Sequence, residues 1–440
     1  MMNLRQLPLA LALSAAFVLP AQAQSLVELY DAARIFDASY QSAKSLYEAS
    51  FYKAEQAKAG LLPSAGLAMG VNRANLSSDT SAFDRGAYGN QSATLSASQP
   101  LYRPANWATA AQGKKSVDLA QAQLKTADQD LIVRVTQAYF DVLAADDNLN
   151  FVKAQKSAVS EQLASAKRNF EVGTSTITDS REAQARFDLV MAQEIAAEND
   201  LRVKKLALDQ LTGKSMATPK PLLVPLVFAP ITPDDVNLWV TQSEELNPAV
   251  RQAQLGLDVA QLETQKAQAG HKPTLDLVGS YNVTQNNGTP STSVDYRTNA
   301  ASVGLSLNLP LFAGFATQNR IKETLALEDK ARSDLDAAKR GVAQATRTAF
   351  FGVDSLLSQV RALEAAEASS QSALDATKLG YQVGVRINID VLNAQTALFD
   401  TKAKLAKARY DLLLARLKLR QASGSLVADD LAAINAVLMK

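Results

Sequence analysis

The sequence has no cysteine and one histidine, His271. Disulfide frameworks, thiolate metal sites and a lipid anchor on an N-terminal cysteine are therefore excluded, and histidine-based metal sites or triads are disfavoured. The chain also lacks an excess of charge, since 45 Lys and Arg face 44 Asp and Glu. This balance, with no basic cluster, gives no indication of a nucleic-acid partner. Because no catalytic constellation is found, the sequence predicts no enzyme, no cofactor and no metal site.

Long apolar runs are absent except for a short one near the N-terminus. Residues 1–23 combine Arg5, an apolar run from Leu7 to Leu19, and Ala21-Gln22-Ala23 before Gln24. This order predicts a secretory signal peptide. The alternative is an anchor helix, but the run is shorter than the ~20 residues that a span needs. No later segment approaches ~18 consecutive apolar residues, so an exported chain would have to cross a membrane with β-strands.

The chain carries an internal duplication. Four landmarks recur in the same order, offset by 210 residues (273 − 63 and 308 − 98) or 211 residues (349 − 138 and 380 − 169). They are QAKAGLLP at 56–63 with QKAQAGHKP at 265–273, SQPLYRP at 98–104 with NLPLFAG at 308–314, AYFDV at 138–142 with AFFGV at 349–353, and NFEVGTSTITD at 169–179 with GYQVGVRINID at 380–390. We therefore divide the chain into the signal peptide at 1–23, a first repeat at 24–213, a Pro-rich linker at 214–232, a second repeat at 233–424 and a tail at 425–440.

Each repeat predicts a helix, two strands, a long helix and a shorter helix. The first helices are expected at about 25–59 and 234–268. The stretch 105–171 contains no proline, and as one helix it would run about 100 Å. Asp146-Asp147-Asn148 is the point at which we expect such a helix to bend. The shorter helices, at 176–211 and 387–422, carry apolar residues seven apart, among them Leu398, Leu405, Leu412 and Leu419. This spacing predicts coiled-coil packing, with an ordinary helical bundle as the alternative.

Four strands are predicted at 65–72, 93–99, 275–284 and 301–309, with polar loops at about 73–91 and 285–299. Along each strand, apolar residues alternate with small polar ones. Two interpretations of this pattern remain open. It fits a wall between lipid and a wet lumen, and it fits a soluble sheet with one buried face.

Four strands cannot cross a membrane alone, because their edges would leave unpaired backbone groups in hydrocarbon. Copies of the same chain would have to close those edges. Two copies would give eight strands, a barrel filled by its own side chains. Three copies would give twelve strands, wide enough to hold water, and a conduit would result.

The segment from Gly380 to Leu392, followed by Ala408-Arg409-Tyr410, resembles the periplasmic helical turn of the TolC family of outer membrane export ducts. Phe170 to Gly173, together with Thr178-Asp179, matches the same turn in the first repeat. The resemblance covers about 25–438. It implies a mixed α/β membrane protein with internal structural duplication, in which four β-strands per chain contribute to a trimeric twelve-stranded transmembrane β-barrel. A long α-helical coiled-coil barrel would continue it through the periplasm of a Gram-negative bacterium.

The resemblance also implies partners. A homotrimer in outer membrane lipid would receive type I secreted proteins or drugs from an inner-membrane ABC or proton-driven transporter, through a periplasmic adaptor protein. It implies neither enzymatic activity nor a cofactor. The alternative is a periplasmic coiled-coil scaffold or adhesin without a pore, which explains the helices but not the four alternating strands.

Site residues follow from the resemblance by position. Tyr381 and Arg386 match donors of a latch that closes the entrance, and Thr178 and Asp179 match its acceptors. Arg386 offers a planar fork that suits the Asp179 carboxylate. The alternative is that these residues are ordinary surface groups at helix turns.

Two further groups are implied at the entrance. Asp390 matches an acidic ring that lines the lumen, whereas Asn393 stands where the family has a second acid, which predicts weaker cation selectivity. Val172-Gly173 and Val383-Gly384 match the turns on which the adaptor docks. Glycine suits such turns because it adopts positive φ at little cost.

Overall fold

The structure is a computed structural model that describes residues 24–77, 79, 86–223, 225–289 and 292–439. The predicted signal peptide at 1–23 lies outside these residues. In chain order, the elements are α1 (Leu26–Phe36), α2 (Ala38–Ala59), β1 (Ser64–Leu76), β2 (Gly86–Tyr102), α3 (Pro104–Glu171), α4 (Ile177–Thr212), α5 (Val236–Leu246), α6 (Pro248–Gln268), β3 (Thr274–Thr289), β4 (Thr292–Asn308), α7 (Ala316–Gln382), α8 (Asn388–Ala422) and α9 (Asp430–Asn435).

The chain divides into two compact units, each taking segments from both repeats. One unit joins Ala43–Leu124 to Pro248–Lys339 and holds the β-sheet. The other joins 24–42, Lys125–Asn247 and 340–439 and holds the shorter helices α4 and α8. The compact units are therefore not the two repeats of the sequence.

The four strands form one antiparallel sheet in the order β1-β2-β3-β4. The register places residues of one character opposite one another across the sheet. One row consists of Leu67, Leu95, Tyr281 and Ala301, and the next of Gly66, Ser96, Ser280 and Ser302. The alternation predicted along each strand thus continues across the whole sheet.

The apolar face of this sheet is open within the chain. Met69, Val71 and Val303 are 76%, 82% and 83% exposed. The opposite face carries small polar groups that bond to each other, as Thr94 Oγ1 does to Asn282 Oδ1 at 3.1 Å. A soluble sheet would cover its apolar face, so this exposure favours the membrane-wall interpretation.

The strands are longer than the sequence pattern predicts. Strands expected at 65–72, 93–99, 275–284 and 301–309 extend over Ser64–Leu76, Gly86–Tyr102, Thr274–Thr289 and Thr292–Asn308. Much of the expected loops at 73–91 and 285–299 is therefore strand. The physical reason is that the apolar face becomes polar there, so the alternation fades while the backbone ladder continues, for example from Arg73 to Gly89 and from Gln285 to Arg297.

Each helix expected before the strands is two helices. The break at Asp37 in the first repeat corresponds to the break at Asn247 in the second (247 − 37 = 210). The Asp37 carboxylate accepts a hydrogen bond from the Tyr40 amide at 2.8 Å and so caps the start of α2. At the second break, Pro248 opens α6 and Asn247 Nδ2 donates to the Ala422 carbonyl at 2.8 Å.

Asp37 also pairs with Arg134, whose two terminal nitrogens lie 2.9 and 3.0 Å from its carboxylate oxygens. These hydrogen bonds hold the pKa of Asp37 below its usual range. A folded pKa below the unfolded one means that the stabilisation is present above about pH 4. It is lost as the pH falls through the lowered folded pKa.

We expect Asp37→Ala to lower the free energy of unfolding at pH 7 by about 1–3 kcal/mol, through loss of the cap and of charged hydrogen bonds. Asp37→Asn keeps an oxygen for the Tyr40 amide but removes the charge, so it should lose less stability and show a flatter dependence between pH 4 and pH 2. Thermal unfolding followed by circular dichroism measures both effects. Equal pH dependence in the Asn variant and the unmodified protein would contradict the role of the ion pair.

The predicted heptad leucines of α8 are buried, with Leu398, Leu405, Leu412 and Leu419 each at most 3% exposed. Three of them, Leu405, Leu412 and Leu419, pack in one cluster with Val353 and Val360 of α7. Helices α7 and α8 therefore share a core along the predicted seam. None of the helices in the described ranges combines the length and the apolar character that a membrane span requires.

Helix α3 is uninterrupted from Pro104 to Glu171, so the helix continues through Asp146-Asp147-Asn148, and the bend expected there stays a prediction. The Tyr410 hydroxyl of α8 donates to Asp147 at 2.6 Å. The Asp147 carboxylate therefore has a hydrogen-bond partner while its backbone stays helical. Burial raises the pKa of Asp147. This run of polar residues therefore contributes a contact between two helices.

Candidate functional site at the helical turns

The two turns that follow the long helices have the same backbone structure. Gly173 and Gly384 have φ values of +79° and +80°. One residue further on, the Thr174 amide donates to the Asn169 carbonyl at 2.8 Å, and the Val385 amide to the Gly380 carbonyl at 2.9 Å. This pattern is the Schellman motif, which favours glycine because its central residue is left-handed. The neighbouring side chains of Val172 and Val383 are 73% and 66% exposed, so an apolar tip faces outward at each turn.

Asp179 and Asp390 are the same position of the repeat (390 − 179 = 211) and lie in the first turns of α4 and α8. Asp179 Oδ2 accepts hydrogen bonds from the amide and the hydroxyl of Thr176 at 3.0 and 2.8 Å. Asp390 Oδ2 accepts only a long bond, 3.5 Å, from the Ile387 amide. Each carboxylate therefore stabilises the start of its own helix, where an acidic group is favoured.

Arg386 lies over the end of α7. Its Nη1 is 3.8 Å from Asp390 Oδ2, which is a loose ion pair between exposed groups. A Cβ added to Gly380 would stand 2.8 Å from Arg386 Cγ, so the glycine leaves room for the arginine stem. Tyr381 is half-buried, and its hydroxyl accepts a hydrogen bond from Asn169 Nδ2 at 3.3 Å.

Among the described residues, neither Tyr381 nor Arg386 is bonded to Thr178 or Asp179 within the chain. Thr178 is exposed and the Asp179 side chain is engaged by Thr176. The latch expected from the resemblance joins neighbouring subunits. It therefore stays a prediction.

Asn388 is a site residue that the sequence reasoning missed. It is 1% exposed, its Nδ2 donates to the Asp179 carbonyl at 3.3 Å, and its Oδ1 accepts a hydrogen bond from Gln162. It thereby joins α8 to α4 and α3. Comparison of the two repeats could have identified it, because Asn388 is a polar residue at the position where the first repeat has the apolar Ile177 (388 − 177 = 211).

Apolar packing holds the start of α8 beneath these polar contacts. Leu392 is fully buried in a cluster with Val159, Leu163 and Val190 of α3 and α4. Val391 packs on the other side, against Leu374 of α7. The first turns of α8 are thus wedged between its own hairpin and the preceding one. Asn393, which follows Leu392, is exposed and accepts a hydrogen bond from Arg186 Nη2 at 2.9 Å.

The duplicated organisation of helices and turns agrees with comparison to known proteins. The model of the outer membrane efflux protein family matches this chain twice, over residues 29–214 and 239–425. The chain belongs to the outer membrane efflux protein family. The family implied by the turn motif is confirmed, and with it an outer membrane location with a periplasmic helical extension.

Members of the outer membrane efflux protein family align with nearly the whole chain. The outer membrane protein TolC of Vibrio cholerae is 35% identical over 421 residues, covering 94% of each chain. The alkaline protease secretion protein AprF of Pseudomonas aeruginosa is 31% identical over 418 residues, covering 93% of this chain and 86% of AprF.

The fold also agrees with a solved structure. The outer membrane protein VceC of Vibrio cholerae matches with a TM-score of 0.77 at 18% identity, over 91% of this chain and 96% of VceC. At this identity, the likeness concerns the fold alone.

Proposed function

We propose that this chain is the outer membrane channel of an export system and works as a homotrimer. Its two repeats would each supply one pair of strands, so that three chains close a twelve-stranded barrel, continued by a coiled-coil tunnel in the periplasm. The observation that carries the proposal is the open apolar face of the sheet, with Met69, Val71 and Val303 exposed on it. Lipid is the surrounding that such a face requires.

The sheet edges support closure by further copies. In the order β1-β2-β3-β4, β1 and β4 each have one paired side and one free side within the described chain. A free edge in hydrocarbon leaves several backbone groups unpaired, at a cost of several kcal/mol each. Pairing of β1 with β4 of another copy removes both edges.

The relatives support the direction and class of transport. AprF is named as a protease secretion protein, and the family is named for efflux. We therefore assign to the channel type I secreted proteins, drugs or both, received from an inner-membrane ABC or proton-driven transporter through a periplasmic adaptor. The adaptor would dock on the exposed tips at Val172-Gly173 and Val383-Gly384. No catalysis is part of this proposal, and the pore-free scaffold does not account for the open sheet face.

The entrance would be closed by a latch between subunits. Arg386 and Tyr381 of one subunit would donate to Asp179 and Thr178 of its neighbour. Among the described residues, Arg386 makes only a loose contact, with Asp390, so its donors are available to another subunit. Asp390 would contribute to a ring of carboxylates around the axis, with Asn393 as its neutral neighbour.

Single-channel recording in a planar lipid bilayer tests the proposal. The purified protein should insert from detergent and give uniform channels of small conductance. A protein that stays soluble without detergent and gives no channel would overturn the membrane assignment and return the scaffold interpretation.

We expect Asp390→Asn to weaken channel block by a trivalent cation at least about tenfold, because three carboxylates would each attract the ion by about 1 kcal/mol even in water. Asparagine retains an oxygen for the Ile387 amide, so the helix start is preserved. Asp375→Asn is the matched control, since Asp375 is exposed on α7 and, within the described part of the chain, accepts hydrogen bonds only from Gln371 one turn away. Block that is unchanged in Asp390→Asn would remove this carboxylate from the lumen.

A further inference from the structure

The contact between Arg186 and Asn393 links two helices at the level of the proposed entrance. Arg186 is half-buried on α4, and its Nη2 donates to Asn393 Oδ1 on α8 at 2.9 Å. Asn393 lies three residues after Asp390, and residues at this spacing share a helix face. The contact therefore bears directly on where the Asp390 carboxylate lies.

The acceptor of this contact is neutral. Two other arginines that join separate helices pair with carboxylates instead, Arg134 with Asp37 and Arg409 with Glu364. Arg186 forms no ion pair with any residue in the described ranges, and its partner is a neutral amide. A hydrogen bond to an amide is weaker than one to a carboxylate, because only the donor carries a charge.

The bond between Arg186 and Asn393 lies between two other contacts of α8. On one side of it, Leu392 is buried against α3 and α4. On the other side, Gln155 Nε2 reaches Thr396 Oγ1 at a long 3.4 Å. The Arg186 bond is the shorter of these two polar contacts. Its loss would leave the start of α8 held to α4 by apolar packing and by the Asn388 bond to the Asp179 carbonyl one turn earlier.

We propose that Arg186 is a positioning residue of the entrance. Through Asn393, it holds the first turns of α8 against α4 and so fixes the distance of Asp390 from the channel axis. The neutral acceptor makes the link firm enough to set the resting position and weak enough to release when the entrance opens. This inference rests on the proposed channel function.

The test combines single-channel recording with hydrogen exchange. Arg186→Ala and Asn393→Ala should each raise the open probability roughly threefold to tenfold, the factor that one lost hydrogen bond gives to an equilibrium. The double variant should show no further rise, because both changes remove the same bond. Amides of α8 between residues 389 and 396 should exchange faster by a similar factor in all three variants.

Two variants distinguish the effect of losing the hydrogen bond from the effect of changing the local charge. Arg181→Ala removes a positive charge five residues earlier on α4, where Arg181 is exposed and bonds to no described residue. It should change neither open probability nor exchange. Asn393→Asp should lower the open probability by converting the bond to an ion pair. Adding Arg186→Ala to it should restore opening while the cation preference of the new carboxylate persists.

The outcomes distinguish this inference from the function on which it rests. If Arg181→Ala acts like Arg186→Ala, or if the two single changes add in the double variant, the link is overturned and charge alone is responsible. If the Arg186 variants leave exchange and opening unchanged in a working channel, the inference fails and the proposed function stands. If neither the unmodified protein nor any variant conducts, the proposed function fails and the inference fails with it. Unchanged hydrogen exchange in the Arg186 variants would by itself contradict the link between α4 and α8.

Discussion

Single-channel conductance is expected to rise several-fold when Arg386→Ala and Tyr381→Phe are combined. Each exposed bond of the proposed latch contributes about 0.2–1 kcal/mol. Two such donors in each of three subunits would together hold the entrance shut by about 1–6 kcal/mol. Removing them shifts the resting entrance towards its open form. Recording in a planar bilayer measures the change directly, and increased uptake of a large antibiotic by cells carrying the variant would follow from it.

Two controls sharpen this prediction. Arg361→Ala removes an exposed arginine from α7 that bonds to no described residue, and it should leave conductance unchanged. Asn169→Ala removes the in-chain partner of Tyr381 while keeping the tyrosine hydroxyl. A large effect of Asn169→Ala would place the role of Tyr381 within its own chain. Conductance of the double variant equal to that of the unmodified channel would show that the latch assignment is wrong.

Gly424→Ala is expected to cause the largest loss of stability. Gly424 follows α8 with φ at +75°, and a Cβ there would lie 2.5 Å from backbone atoms of Leu246 and Asn247. Backbone atoms cannot move aside as a side chain can. Strain at positive φ costs about 1–3 kcal/mol and overpacking a similar amount, so the expected loss is about 2–6 kcal/mol. Thermal unfolding in detergent, followed by circular dichroism, measures it.

Two other glycines separate the causes. Gly384 has φ at +80° but no atom within 4 Å of an added Cβ, so Gly384→Ala should show only the strain, about 1–2 kcal/mol. Gly256 lies within α6 with open space around it. Gly256→Ala should therefore stabilise the protein by about 0.5–1 kcal/mol. A loss in Gly424→Ala no larger than that in Gly384→Ala would mean that the backbone clash is relieved by a small shift.

Much of the fold could be predicted because the sequence repeats at regular intervals, both between its halves and along its helices. The repeat offset places equivalent elements, and the spacing of Leu398, Leu405, Leu412 and Leu419 identifies a seam that is buried in the structure. The helix breaks at Asp37 and Asn247 were missed, although an aspartate before Ala-Ser and an asparagine before proline are both capping signals. The full length of the strands could not be predicted. Beyond Asn72, the ladder depends on backbone pairing that no side-chain alternation reports.

The site was predictable only where its residues belong to a local motif. Gly173 and Gly384 are required by their turns, and Asp179 and Asp390 by the starts of their helices. The contacts of Asn388 with Gln162 and of Asn393 with Arg186 join helices that are about 200 residues apart in sequence (388 − 162 = 226 and 393 − 186 = 207). They depend on the relative register of packed helices. A single sequence contains no signal for that register.

The capping of the two shorter helices differs between the repeats. Thr176 closes a full capping box with Asp179, whereas Ile387, its counterpart, has no side chain that can accept a hydrogen bond. A helix with a capped start resists fraying, and one without a cap yields more easily. The duplication has thus produced two equivalent helices, of which α4 has a rigid start and α8 a more deformable one. The difference in stiffness follows from one side chain, Thr176 or Ile387, so α8 can move at the tip without a separate hinge segment.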